Sequence, residues 1–591
     1  MMTKGILDQV CAALGGQCDF ARADVSFSPF YSDLGLGFND AVPGIAQLFL
    51  HYNRRTTSLG APFLKLDDAL IGSERTPVSV RQVFASGQAE YAFCGHNTWL
   101  ARVRCPRIVE FSFGAPEMIE LRVTEIANQR IFDGYLSNQD KRDPDVAFPF
   151  VLGLRVLKGR LSGSGAMGHP LRFSPDAQGE LLICFSASCL EVGHERLEQR
   201  LAEAPVDFAE AVARSRRWLT QALGNLDFSR AQPRERAVLA KAACALAFNA
   251  CRAPGLLGGR VSLFPNRGRY PTHYMWDSCF QNLALEHMDP QLAPDSLLLL
   301  TENQRVDGKL GHFLCSTWMR PHESQPALVG WAALRLVEQR SDLNFARRIL
   351  PALLKNNRWW LQQRMTRFGL ISSPGPLETG WDDTPRQDQG AILALDMNTY
   401  VLLQMRACAV LARRLGDENT AADCERQSRD FGRRLVDVFY DPADNLFKDV
   451  MLSTGERLPL KTPACFIPLL ADLPLPPERI RAMIENSLLD PRHFFGAVPF
   501  PSVAYDEVVY EAETWWRGPT WIPIAYLMLE VLRRHGFDQP ARIAAKRLYD
   551  MLIADGNLRE LFNSRTGEGM GAYEQGWTAA ICLRLYIELN A

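Results

Sequence analysis

Apolar residues recur mainly at every second position, in short runs, from about residue 23 to 190, and at every third or fourth position from there almost to Ala591. This change of period constrains the fold more than any other feature. Side chains alternate faces along a strand, whereas on a helix they return to the same face every 3.6 residues. Val109, Phe111 and Phe113 form one strand-like run and Ile119, Leu121 and Val123 another, followed by FVLGLRVLKGRLSG and GELLICFS. Their number predicts an antiparallel β-sandwich over residues 1–195. GRLSGSGAMGHP supplies the turn residues between two of the strands.

Residues 196–232 read as a helical linker and 233–591 as a helical domain. Its periodicity predicts helices over 233–252, 273–288, 290–304, 325–340, 343–365, 391–415, 418–440, 477–488, 513–535, 538–554 and 574–589, with one more near 462. Ser341 and Asp342 mark a helix start, and Gly416 and Gly536 mark two ends. An open repeat solenoid would show self-similarity every 30 to 50 residues or so. None is found, so a closed double ring of helices is expected. In such a ring the connecting segments collect at one end, where irregular backbone can hold functional groups.

Composition narrows the function. With 65 basic and 67 acidic residues the net charge is -2, which gives no field to gather nucleic acid or an anionic membrane. No stretch approaches the ~20 apolar residues of a membrane span, and MMTKGILDQVCAALGGQCDF does not read as an export signal. Fourteen cysteines, spread from Cys11 to Cys582 without CxxC spacing, read as reduced core residues of a cytoplasmic protein. Cys94 with His96, or Cys184 with Cys189, lacks the second ligand pair of a zinc site, so no metal and no cofactor are expected. His273, His312 and His322 are not joined by HxxxH or HExxH spacing, and His312 reads instead as a hydrogen-bonding residue of a subsite. The expected partner is a small carbohydrate; a homo-oligomer is left open.

Five interhelix segments have the unusual composition: GRYPTHYMWDS, NQRVDGKLGHF, ISSPGPLETGWDDTPRQDQG, YEAETWWRGPTW and NLRELFNSRTGEGMG. In or beside them stand Tyr274, Trp276, Trp381, Trp515, Trp516, Trp521 and Trp577, next to carboxylates. Aromatic faces suit the apolar faces of a pyranose, and planar polar groups suit its hydroxyls. Glycoside hydrolysis needs one protonated and one ionised carboxyl flanking the scissile bond. The candidates are Asp382 or Asp383 with Glu560 or Glu568, and Asp277 reads as a hydroxyl acceptor. Trp381 beside the acid offers the apolar wall that raises a carboxyl pKa. Asp383 also reads as a turn cap, and Glu378 as a group orienting an arginine or a hydroxyl. Arg517 suits a fork to substrate or to a structural carboxylate.

YPTHYMWDS, NQRVDGKLGH, ETGWDDTPR, WWRGPTW and ELFNSRTGEGMG, with the trailing GWTAA, resemble in order and spacing the successive motifs of glycoside hydrolase family 63 and its trehalase relatives. The resemblance spans roughly residues 235 to 589. It implies an (α/α)6 barrel with an N-terminal β-sandwich, and an inverting exo-acting α-glycosidase. It assigns Asp382 as general acid and Glu560 as general base, with Trp276, Asp277, Gln304, Trp516, Arg517 and Trp577 binding sugar. Asp383, Leu561 and Ser564 depart from the usual residues, and WWRGPTW stands where trehalases carry QWDYPNGW, so the resemblance is to the clan rather than to trehalases. The implied substrate is a small α-glucoside or α-mannoside, a disaccharide or an osmolyte glycoside such as glucosylglycerate or mannosylglycerate. An inverting phosphorylase on a similar barrel and a catalytically silent carbohydrate-binding protein are the alternatives.

Overall fold

The computed structural model describes residues 69–111, 118–136, 148–166, 169–189, 193–252, 255–315, 319–320 and 322–591, with short stretches before residue 69 that include 34–39, 42–52 and 55–58. Phe113 of the first expected strand run and most of the N-terminal stretch read for an export signal lie outside the described residues. The chain divides into two compact units. One takes in the described residues up to Thr272 with His287–Asp289, and the other takes in His273–Glu286, Pro290–Leu314 and the chain from residue 319 to Ala591.

The first unit is built on an eight-stranded antiparallel sheet whose strands lie in the order Leu70–Arg75, Val80–Phe84, Gly87–Gly95, Thr98–Arg104, Glu180–Cys189, Phe148–Lys158, Gln129–Leu136 and Met118–Ile126. The two-residue period decides which side chain faces which layer. Ala92, Cys94, Leu100, Leu182 and Cys184 face two helices, Gly193–Glu203 and Phe208–Leu223, and pack with Leu201, Phe208 and Ala211. The intervening positions carry aromatics, with Trp99 stacked on Phe185 at 4.8 Å. Phe38 of the strand Leu34–Asn39 meets Tyr91 on that side, and Phe111 of the strand Val109–Phe111 meets Phe185. The unit runs past residue 232 because helix Pro233–Asn249 packs on helix Phe208–Leu223, with Trp218 stacked on Phe248 at 6.2 Å.

The second unit is helical, and from Leu343 onward its long helices alternate between burial nearly all round and burial of one stripe. Met275–Leu285 is buried at all eleven positions, and Leu395–Arg414 and Ile522–Arg534 are buried nearly all round. Leu343–Gln363, Glu418–Phe439 and Asp538–Asp555 bury one stripe each and expose the rest. A helix apolar all round needs neighbours on every side, whereas an amphipathic one closes a layer against solvent. Helix Leu395–Arg414 accordingly packs on Glu418–Phe439, and the first helix, Met275–Leu285, packs on the last, Gly576–Asn590. No helix among the described residues is long and apolar enough to cross a membrane.

Most helix limits fall close to expectation, with two corrections. Ser341 has φ 54° and closes the preceding helix, while Asp342 alone caps the next by accepting from the Phe345 N–H. The helix expected over 513–535 begins only at Ile522. Pro519 keeps its predecessor out of helical geometry, and Pro523 sits in the first turn where its missing N–H costs nothing. The released segment pairs instead with the hairpin at residue 562, Thr520 and Phe562 exchanging backbone hydrogen bonds of 2.8 and 3.0 Å.

One buried ion cluster fixes the loop that matters most. Arg386, 1% exposed, forks to Asp449 through Nε (2.7 Å) and Nη2 (2.8 Å) and to Asp396 through Nη1 (3.1 Å) and Nη2 (2.7 Å). Asp449 also accepts from the Leu395 N–H at 2.8 Å, which ties the start of helix Leu395–Arg414 to the same point. Removing one partner of a buried pair leaves an uncompensated charge and costs ~3–5 kcal/mol. Arg386→Leu should therefore lower stability by about that amount; equilibrium urea unfolding checks it, and an unchanged midpoint would refute the role.

Candidate active site

Residues 375–388 are shaped by contacts on both sides. A single helical turn, Pro376–Thr379, ends at Gly380 with φ 77°, and a Cβ there would stand 2.7 Å from the Trp276 ring. Only glycine lets this loop lie directly on Trp276. The next residue, Trp381, turns inward and is fully buried, stacked on Trp516 at 4.9 Å with the Arg386 guanidinium 4.9 Å from its ring centroid. The Thr384 N–H closes the turn on the Trp381 carbonyl at 3.0 Å. Between these two residues Asp382 is left pointing to solvent.

Glu560 enters on a second element, just before the hairpin Leu561–Phe562 with Gly569–Met570. It is 2% exposed, and its Oε2 accepts from the Ala572 N–H at 2.8 Å. Gly571 has φ 75°, and a Cβ there would fall 2.6 Å from Glu560 Oε2, so the carboxylate rests against bare backbone. The Trp577 indole N–H donates to the Glu560 carbonyl at 3.2 Å. Leu558 (φ 51°) and Glu574 (φ 48°) are left-handed on either side of this arrangement. Backbone bonds from Glu574 to Asn557 (3.0 Å) and from Gln575 to Leu558 (2.9 Å) hold both in place. Such strain, on the order of 1–3 kcal/mol per residue, survives where surrounding bonds over-determine it.

Asp277 is the third carboxyl, in the first turn of helix Met275–Leu285 and 4% exposed. Burial, then the Glu560 and Asp382 charges, push its pKa well above the usual carboxylate range. Asp382 is raised to about 6, by burial first, then by Asp383 and Glu560, with Arg320 opposing. Its carboxyl is reachable by solvent while protein encloses most of its surroundings, as befits a group on the wall of a concave site. Asp277, Asp382 and Glu560 thus interact electrostatically although they lie far apart in sequence.

The tryptophans form a connected wall. Trp516 stacks on Trp521 at 3.8 Å and lies 6.0 Å from Trp276, and Trp577 meets Trp276 and Trp521 edge-on, each at 5.9 Å. All five are buried, Trp381 completely and Trp276, Trp516, Trp521 and Trp577 nearly so. His312 reaches the wall indirectly, its Nε2 3.1 Å from Gln325 Nε2, while Gln325 Oε1 accepts from the Trp276 N–H at 3.0 Å.

Other expected residues sit differently. Gln304 donates to the Gly308 and Ala352 carbonyls at 2.8 and 2.9 Å, bracing its own loop. Arg517 forks to Asp388 at 3.0 and 2.5 Å. Asp383, expected as a turn cap, accepts instead from the Trp516 N–H at 2.6 Å and joins two distant segments. Glu378 is buried and holds the Ser324 N–H (3.0 Å) and Arg364 (2.9 Å). Glu568 is exposed on the hairpin, while Glu560 is the buried glutamate. Sequence reasoning missed Arg320, whose charge acts on Asp382 and which forks to Glu323 at 2.7 and 3.1 Å. It also missed Gln325, and no spacing in the chain signals either residue. Among the described residues no cluster of three or more His, Cys, Asp or Glu could hold a metal ion.

Residues 270–578 match the family described as the mannosylglycerate hydrolase MGH1-like glycoside hydrolase domain. The chain is 26% identical over 423 residues to mannosylglycerate hydrolase MGH1 of Selaginella moellendorffii, covering 57% of this chain and 85% of that protein. To the mannosylglycerate hydrolase of Thermus thermophilus it is 25% identical over 400 residues, 54% of this chain and 95% of that one. A crystal structure of a family 63 mannosylglycerate hydrolase from Thermus thermophilus, in complex with Tris and D-glycerate, superposes with a TM-score of 0.53. At 22% identity over 59% of this chain and 99% of the other, that likeness concerns the fold.

The electrostatics make a sharp expectation. In Asp383→Asn one like charge disappears while an amide oxygen remains to accept from Trp516, so Asp382 should titrate below its value of about 6. Because burial is the larger cause, it should stay above the ordinary 3.8. Carboxyl carbon-13 NMR titration checks this, and an unmoved titration would exclude coupling between the two side chains.

Proposed function

The chain belongs to the MGH1-like glycoside hydrolases of family 63, and from that premise we propose that it hydrolyses a small α-mannoside or α-glucoside of an organic acid such as glycerate, with inversion at the anomeric carbon. The observation that carries the reading is the coupling of the raised carboxyl of Asp382 to Glu560. Asp382 is raised to about 6 and can hold a proton near neutrality, while Glu560 is pinned by the Ala572 N–H. Asp382 protonates the glycosidic oxygen as the aglycone departs. Glu560 draws a proton from the water that attacks the opposite face, which requires the two carboxyls to stand ~6.5–9.5 Å apart. Asp277, buried and with its pKa raised, donates to a sugar hydroxyl, and Trp276, Trp516 and Trp577 form the wall for the apolar ring face.

Arg320 supports the acidic aglycone, because its positive charge acts on Asp382, the residue on the leaving-group side of the reaction. The ring closure implied by family 63 also belongs to this proposal. It is supported by the contact of the unit's first and last helices and by the alternation of buried and half-buried helices. A β-sandwich in the first unit is supported by the aromatic contacts of the strands Leu34–Asn39 and Val109–Phe111 with the large sheet. A cytoplasmic location is supported by the burial of all eleven described cysteines.

Asp382→Asn should leave folding intact and lower kcat on mannosylglycerate by ~10²–10⁴, measured by release of free hexose. Proton NMR of the first-formed sugar should show the β anomer from the α-glycoside. An α anomer would sink the inverting reading, and full turnover by the variant would remove Asp382 from the acid role.

A further inference from the structure

The three coupled carboxylates all lie in the helical unit, yet the first unit holds a cavity of its own, of about 650 Å³. That is the size range of small-molecule sites, ~300–1,000 Å³. The cavity follows from helix Gly193–Glu203, whose spacing divides it into two faces. Leu197 and Leu201 pack into the sheet cores, while Arg196, Gln199, Arg200 and Glu203, at i, i+3, i+4 and i+7, line the cavity. Arg214 from helix Phe208–Leu223 and Arg252 from the strand Ala250–Arg252 complete the charged lining.

Four guanidinium groups against one carboxylate leave a formal lining charge of +3, in a chain whose net charge is -2. The opposing charges are partly engaged. Glu203 accepts from Gln199 at 2.8 Å, and Glu210, which touches Arg214 at 3.3 Å, is shared with Arg217 at 2.8 Å. The Cys94 thiol in the lining is pushed up to about 12 by burial and adds no negative charge. No tryptophan, tyrosine or phenylalanine lines this cavity among the described residues, in contrast to the tryptophan wall of the carboxylate site. It offers no face on which a base or a pyranose could stack.

We propose that this cavity binds a compact polyanion bearing two or more phosphate or carboxylate groups. Guanidinium forks match the oxygens of both groups and hold them by charge-assisted hydrogen bonds. The site is independent of the glycosidase reaction assigned above, since none of its lining residues takes part in that chemistry.

Isothermal titration calorimetry of the full chain at low ionic strength tests it, with pyrophosphate in one arm and citrate in the other. Saturable binding that weakens with added salt is the expected result, and the arm that binds identifies the anionic group. Arg196→Ala with Arg252→Ala should weaken it by about tenfold or more, one charge-assisted bond being worth ~1.5–3 kcal/mol. Glycosidase kcat/KM should stay unchanged. Should the double variant lose its melting transition, Arg252→Gln alone supplies the comparison. No saturable heat from either anion up to ~10 mM, or equal affinity in the variants, overturns the proposal.

Discussion

The buried guanidinium of Arg386 is the point on which the site hangs. It makes four hydrogen bonds to Asp396 and Asp449, and its fifth side is closed by the Trp381 ring. Apolar contact alone would allow Trp381 to slide, whereas four directional bonds to two carboxylates fix the loop in position and in rotation. Trp381 then supports Trp516, and Trp516 supports Trp521, so the tryptophan wall inherits its placement from one ion cluster. Asp383 fastens the same assembly from the other side through the Trp516 N–H.

That rigidity permits an arrangement that is unfavourable by itself. Asp277 and Asp382 both have raised pKa values, because the surrounding protein desolvates them and like charge acts on them. Glu560 is held against the backbone at Gly571 and flanked by two left-handed residues, Leu558 and Glu574. A mobile loop would relieve such repulsion by moving apart. Here the loop bearing Asp382 is anchored by Arg386 and Glu378, and the segment bearing Glu560 by backbone pairing with residues 520 and 572. The proton that Asp382 retains near pH 6 is the chemical consequence of that confinement.

Much of this was legible in the chain. The helical period located Met275–Leu285, Leu395–Arg414 and Gly576–Asn590 within a few residues, because each carries enough apolar repeats to override local irregularity. The motif residues Asp277, Asp382 and Glu560 are the ones brought into electrostatic contact. Less legible was anything whose partner lies on another element. Arg386 meets Asp396 and Asp449, ten and sixty-three positions away, and nothing in its own neighbourhood marks it as buried. The residues of 513–521 look helical by composition, yet Pro519 and the pairing with residue 562 draw them into a loop.

The sequence by itself determined the change from strands to helices, the limits of most elements and the residue types that can perform glycoside hydrolysis. These depend on periodicity and on chemistry carried by each residue, which local order preserves. Only the tertiary structure decided which carboxyls share a field, that Trp381 is a support while Asp382 beside it faces solvent, and that Asp383 binds a distant backbone rather than its own turn. Burial, and hydrogen bonds between segments more than a hundred residues apart, set those outcomes. Neither exists until the chain has closed upon itself.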